Sequence, residues 1–158
     1  MNRLRGCEIT QLEIAKDFYE AYKRCLISHD NHHVAIPAFA NGFFSCELFL
    51  KCILKSYDIK SSGHNILELF KSLPIALRDA IKEAFSNNAK EFLAINKTSF
   101  YGLLEKIADG FEFWRYIFED NNRAIEKFEK DYPFDYSEGF LQYFLPIIDH
   151  IATDIDRR

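Results

Sequence analysis

Turn-forming residues are scarce in this chain. Six glycines and four prolines are spread over 158 residues, no stretch alternates polar and apolar residues at period two, and no internal repeat or glycine-rich linker divides the sequence. These absences argue against a sheet protein and against several domains, so one helical domain over residues 1–158 is the expectation. A basic excess is also missing. With 20 Lys and Arg against 24 Asp and Glu, a formal charge of -4 and a pI near 5.7, the chain has no general attraction for nucleic acid. An RNA or DNA contact would need a local patch.

Cys7, Cys25, Cys46 and Cys52 form no C-x-x-C pair, and the N-terminal MNRLRGCEITQ lacks the apolar core of a secretory signal. A reduced, cytoplasmic protein is the expectation. No apolar run is read as approaching the roughly 20 residues needed to cross a bilayer, so no membrane partner is expected. There is no glycine-rich phosphate loop, no G-x-S-x-G elbow and no paired-histidine zinc helix, so neither cofactor nor metal is expected. His29, His32 and His33 in HDNHH lack an evident fourth ligand and read as an interhelical loop. Cys46 and Cys52 do not share a helix face and read as buried thiols.

What the chain has in plenty is apolar and aromatic: 48% hydrophobic residues, with sixteen Phe and eight Tyr. Ile9, Leu12, Ala15, Tyr19, Tyr22 and Leu26 recur at spacings of three and four, marking a first helix from Ile9 to Ser28. A second helix runs from Val34 to Tyr57, with Pro37 in its first turn. HNILELFKSL makes a short helix, with Ser62 as its expected cap, that stops before Pro74. A helix from Pro74 breaks near Ser86-Asn87-Asn88, and KTSFYGLLEKIADGFEFWRYIFED forms one more, capped by Thr98 or Ser99. DNNRAIEKFEKDYPFDY reads as polar and irregular. The final helix carries a stripe of Phe140, Phe144, Ile147, Ile151 and Ile155, bent at Pro146. The expected architecture is an all-α bundle of about five to six helices.

Charge intrudes on this apolar pattern in FANGFFSCELFLKCIL. On a helical wheel with Ile36 at zero, Glu47 falls at about 20° and Lys51 at about 60°, beside the stripe formed by Ala40, Phe43, Leu50 and Leu54. Asn41, Ser45 and Ser56 fall opposite. Unpaired charges aimed at a core cost several kcal/mol, so Glu47 and Lys51 need partners or a wet edge. On the later helix Phe100, Leu103, Leu104, Ile107, Phe111, Trp114 and Phe118 form one arc, and Arg115 lies at about 40° beside it. A guanidinium matches a carboxylate in plane, so Arg115 is the expected partner of Glu47. His64 follows Gly63, where it either caps the short helix or projects back across the bundle. Glu47, Lys51, His64 and Arg115 are thus expected to form one polar cluster, either a binding site or a structural device. Lys55, Lys60, Lys71 and Arg78 offer a weak basic patch along the second to fourth helices.

These pieces in order, Glu47-Leu-Phe-Leu-Lys51 with Ile53-Leu54, then Gly63-His64 with Leu69-Phe70 and Leu73-Pro74, then Phe111 to Glu119 with Trp114-Arg115, resemble bacterial members of the HEPN superfamily. The resemblance covers roughly residues 36 to 120. It implies an antiparallel up-and-down helical bundle, commonly a homodimer, in proteins tied to RNA or nucleotide binding, RNA cleavage, toxin–antitoxin pairs and phage defence, with a protein partner also expected. Catalytic members place a histidine five to seven positions beyond an arginine, for metal-independent cleavage. Here the matching positions after Arg115 are Asp120, Asn121 and Asn122; Arg24 and His29 have the spacing but sit at the end of the first helix. The expectation is a non-catalytic binding or assembly module. The alternative is a divergent ribonuclease or nucleotide-acting enzyme using Arg115 and His64.

Overall fold

In a computed structural model of the chain, residues 10–27, 35–116 and 134–158 are described. Within them the backbone forms eight helices: α1 (Gln11–Ile27), α2 (Ala35–Ser56), α3 (Ile66–Lys71), α4 (Ile75–Asn88), α5 (Lys90–Ile95), α6 (Phe100–Ile107), α7 (Gly110–Tyr116) and α8 (Phe134–Asp156). No strand occurs among the described residues. The protein is all-α, with more and shorter helical segments than the sequence suggested.

Local chemistry sets several of the ends. Thr10 and Glu13 form a capping box, Glu13 N–H donating to Thr10 Oγ1 (3.2 Å) and Thr10 N–H to Glu13 Oε2 (2.7 Å). The Thr10 N–H, together with the Thr10 hydroxyl at 3.0 Å, holds the exposed Glu13 carboxyl below its usual range. Ser99, one of the two expected caps, accepts from Gly102 N–H at 3.1 Å. The expected cap Ser62 does not serve; Asn65 does, its Oδ1 accepting from Glu68 N–H at 3.0 Å. The Asn side chain is placed where its oxygen reaches the third residue of the helix, and Asn65 followed by Glu68 is itself a start signal. The helix read across residues 97–120 divides at Ala108-Asp109, and the Ala108 carbonyl accepts from Ile66 N–H at 2.9 Å, tying the start of α3 to that junction.

Four rows assemble the bundle. Ser45 bonds to Ala15 and Tyr22 meets Gly42, so the partner position on α2 falls as that on α1 rises and the two helices run antiparallel. Phe111 stacks on Phe44 (4.7 Å) while Trp114 lies against Phe39 (4.9 Å), so α7 runs antiparallel to α2 as well. Phe100 meets Phe144 and Lys106 meets Tyr136, which sets α6 antiparallel to α8. With α6 and α7 as one interrupted row, the order α1, α2, α6/α7, α8 is up-and-down, and α3 to α5 fill the crossing between the second and third rows. The core is phenylalanine-rich, with Phe43, Phe70, Phe85, Phe100, Phe140 and Phe144 fully enclosed.

Two buried faces differ from the wheel readings. Helix α2 is central, so Phe39, Cys46, Phe49 and Ser45 are buried along with Phe43, Leu50 and Leu54. Ser45, expected on a polar side, donates its hydroxyl to the Ala15 carbonyl at 2.7 Å, where α1 covers it. The buried arc is therefore wide, and Glu47 stands at its margin. The stretch Ile36–Ser56 is also long and apolar enough, by length and composition, to cross a membrane, contrary to the sequence expectation. Here it is the core helix of the bundle. In α8 the buried apolar side chains are Phe140, Leu141, Phe144, Leu145, Ile148 and Ala152, whereas Ile147, Ile151 and Ile155 are half-buried. Both sides of that helix are apolar in sequence, and the face turned to α2 wins. Pro146 is exposed on the other side.

Candidate functional site

The apolar run of α2 contains one buried charge. Glu47 is 2% exposed, and its Oε1 accepts from Lys51 Nζ at 2.7 Å, one helical turn along the same face. From the turn before α3, His64 Nδ1 lies 3.0 Å from Oε1 and 2.9 Å from Oε2. A carboxylate only accepts, so Nδ1 carries the proton and donates, and the tautomer is set by Glu47. Nε2 has no partner among the described residues, and the His64 side chain is 48% exposed. The carboxylate is thus enclosed by the bundle and closed over by two donors. Lys51, 19% exposed, is the more covered of the two.

Three features place His64. Gly63 adopts a left-handed backbone (φ 77°), which turns the chain at little steric cost. Asn65 caps α3 and donates through Nδ2 to Asp109 Oδ1 at 2.8 Å, anchoring the next residue to the α6/α7 junction. The imidazole packs against Phe111, ring centroids 5.7 Å apart. Of the two roles open to His64 from the sequence, capping and projection across the bundle, it takes the second.

Arg115 is not in the cluster. It is exposed and makes no ion pair with Glu47; its guanidinium carbon lies 5.5 Å from the Phe111 ring and 5.1 Å from the Tyr116 ring. The arc predicted for this part of the chain is otherwise right, since Phe100, Leu103, Leu104, Ile107, Phe111 and Trp114 are all buried and Phe118 lies outside the described residues. Arg115 sits one step past the edge of that arc, and cation–π contact with two rings replaces the carboxylate. Phe111 therefore touches both His64 and Arg115, a link for which the wheel gave no signal.

The other candidate groups separate. His29, His32, His33 and Cys7 lie outside the described residues, and Arg24 is an exposed partner of Glu20 (3.0 Å). Cys46 is fully buried, and burial pushes its thiol well up. Cys52 is half-buried and pushed up to about 11, chiefly by burial. Among the described residues no group of three or more His, Cys, Asp or Glu is arranged to hold a metal ion. Of the weak basic patch, Lys71 pairs with Glu68 (3.3 Å), and Arg78 on α4 keeps a buried Nε without a hydrogen-bond partner. Lys55 and Lys60 stay together, on the wall of a recess at the C-terminal end of α2. No family model matches the chain, and no curated protein or solved structure does either.

Proposed function

We propose that the protein is a non-catalytic, HEPN-like helical binding or assembly module, acting as a cytoplasmic homodimer in an RNA-linked, toxin–antitoxin or phage-defence setting. One observation carries the non-catalytic part. Glu47 is closed by Lys51 and His64 while Arg115 rests on Phe111 and Tyr116, and the two recesses at the α2 end are lined by neither His64 nor Arg115. Cleavage of a phosphodiester needs the cation and the acid–base group to face one substrate-sized space. The test is incubation of the purified protein with short single-stranded RNA, together with light scattering of the free protein. Intact RNA and a dimer mass are expected; RNA turnover that disappears in His64→Ala overturns the reading.

A second reading has its own support. Glu47 holds His64 by Nδ1 and leaves Nε2 outward, the arrangement of an oriented general base, and Arg115 shares the Phe111 ring with it. A divergent, metal-independent ribonuclease or nucleotide-acting enzyme would use His64 for proton transfer and Arg115 for the phosphate. The same turnover assay, run with Arg115→Ala, decides between the two.

A further inference from the structure

We propose that the recess where α2 ends is a binding site for a small phosphomonoester. It is separate from the exposed face of His64 and does not depend on the function proposed above. Its volume is about 450 Å3, and its polar lining comprises Gln11, Lys51, Lys55, Asp58, Lys60 and Ser61. Ile59 adds an apolar wall.

The charges on this wall are unevenly paired. Lys51 is held in place by Glu47 at 2.7 Å and retains two further N–H donors. Lys55 and Lys60 have no carboxylate or ring partner among the described residues, unlike Lys23 and Lys71, which take carboxylates, or Lys82 and Lys106, which lie over tyrosine rings. Two unanswered ammonium groups thus face one carboxylate, Asp58, in a chain of net charge -4.

The C-terminal end of α2 carries the negative pole of its dipole, which works against an anion, so the ammonium groups must outweigh it. Asp58 N–H donates to the Lys55 carbonyl (3.0 Å) and Ile59 N–H to the Leu54 carbonyl (3.0 Å), with Asp58 left-handed at φ 57°. These bonds satisfy the Leu54 and Lys55 carbonyls in the last turn of α2. What remains for a ligand is a set of point-charge donors with a hydroxyl, Ser61, and an amide, Gln11. Lysine ammonium groups bind a phosphate oxyanion as point charges, without the bidentate geometry of an arginine fork.

The recess continues past Gln11 and Lys55 into a second one of about 440 Å3, where Leu12, Cys52, Ile53, Ala152 and Ile155 form an apolar side and Thr10, Ser56 and the Asp156 carboxylate a polar one. A phosphate at Lys55 and Lys60 therefore has apolar space beside it for a small organic body. That combination distinguishes a phosphomonoester from free phosphate.

Phenyl phosphate and inorganic phosphate, titrated into the full chain by calorimetry at constant ionic strength, test the proposal. Saturable one-site binding of phenyl phosphate is expected, with inorganic phosphate weaker. Replacing Lys55 and Lys60 together by Ala should weaken phenyl phosphate at least about tenfold, because charge-assisted hydrogen bonds are lost. Lys82→Ala with Lys90→Ala, the same change of charge elsewhere, should leave it unaltered. Asp58→Asn, which tolerates the left-handed backbone and removes the opposing carboxylate, should tighten it. Absence of saturable binding overturns the site, as does a Lys55/Lys60 variant that binds like the parent while melting at the same temperature. Equal affinity for the two probes overturns the assignment to a phosphomonoester.

Discussion

Glu47 and His64 share a bond across a steep gradient of solvent: Nδ1 of a half-exposed imidazole lies 3.0 and 2.9 Å from both oxygens of a carboxylate that is 2% exposed. The two partners are therefore unequal in energy. Glu47→Ala leaves Lys51 beside an apolar gap without its counter-charge, and removing one partner of a buried pair costs about 3 kcal/mol. His64→Ala removes a donor that water replaces, a loss of less than about 1 kcal/mol. Urea denaturation of the two variants measures the difference, and comparable losses would mean that the imidazole, not the lysine, is what makes the carboxylate tolerable.

Left-handed backbone at side-chain-bearing residues makes a second prediction. Lys97 (φ 48°) follows α5, where Lys97 N–H donates to the Ala94 carbonyl and Thr98 N–H to the Leu93 carbonyl, a position that glycine usually occupies. Lys97→Gly should raise stability by about 1 kcal/mol, since an L side chain at such φ is disfavoured by roughly that amount. Gly63 is the converse. Nothing lies within 4 Å of an added Cβ there, so Gly63→Ala acts through φ alone and should cost about 1 kcal/mol. Because Gly63 sets the approach of His64, the imidazole resonances in an NMR spectrum should shift with it.

Close packing at Gly139 supplies the third. A Cβ at this position of α8 would overlap the Phe92 ring of α5, so the ring must move or the helices must part. Gly139→Ala should cost about 1–3 kcal/mol, as overpacked sites do. Phe92→Leu in the same chain should return part of that loss, and a double-mutant cycle reads the coupling directly.

Spacing at three and four placed Leu12, Ala15 and Tyr22 correctly, and the arc from Phe100 to Trp114, because each of those helices buries one face against the bundle. It does not capture α2, which is covered on several sides: the stripe through Ile36 and Ala40 is only its margin, and Ser45, opposite that stripe on the wheel, is buried under α1. Glu47 and Lys51 were legible as charges near a core because they fall on that margin. Arg115 was not, since a wheel gives direction and no depth: about 40° from the centre leads to a carboxylate or to solvent, and only the neighbouring rings decide. The Asn65–Asp109 and Ile66–Ala108 bonds that fix His64 join residues more than forty positions apart, beyond the reach of any local pattern.

Alkaline pH should unfold the protein earlier than its carboxylate and lysine content suggests. Burial pushes Cys52 up to about 11 and raises Cys46, Tyr22 and Tyr19 as well. In the unfolded chain the thiols ionise from about pH 8.5 and the phenols from about pH 10. Above those values the unfolded state binds fewer protons than the folded state, so stability falls as pH rises. The contribution is complete below about pH 8 and is lost progressively through pH 11. The midpoint of thermal unfolding should hold steady from pH 7 to 8 and decline beyond pH 9. Cys46→Ala with Cys52→Ala should flatten the first part of that decline, up to about pH 10, where the tyrosines take over. A decline of unchanged slope in the double variant would move its origin from the thiols to other groups. Iodoacetamide at pH 8 offers the kinetic counterpart: Cys46 and Cys52 should react far more slowly in the folded protein than in urea, because the thiolate is the reactive form and burial suppresses it.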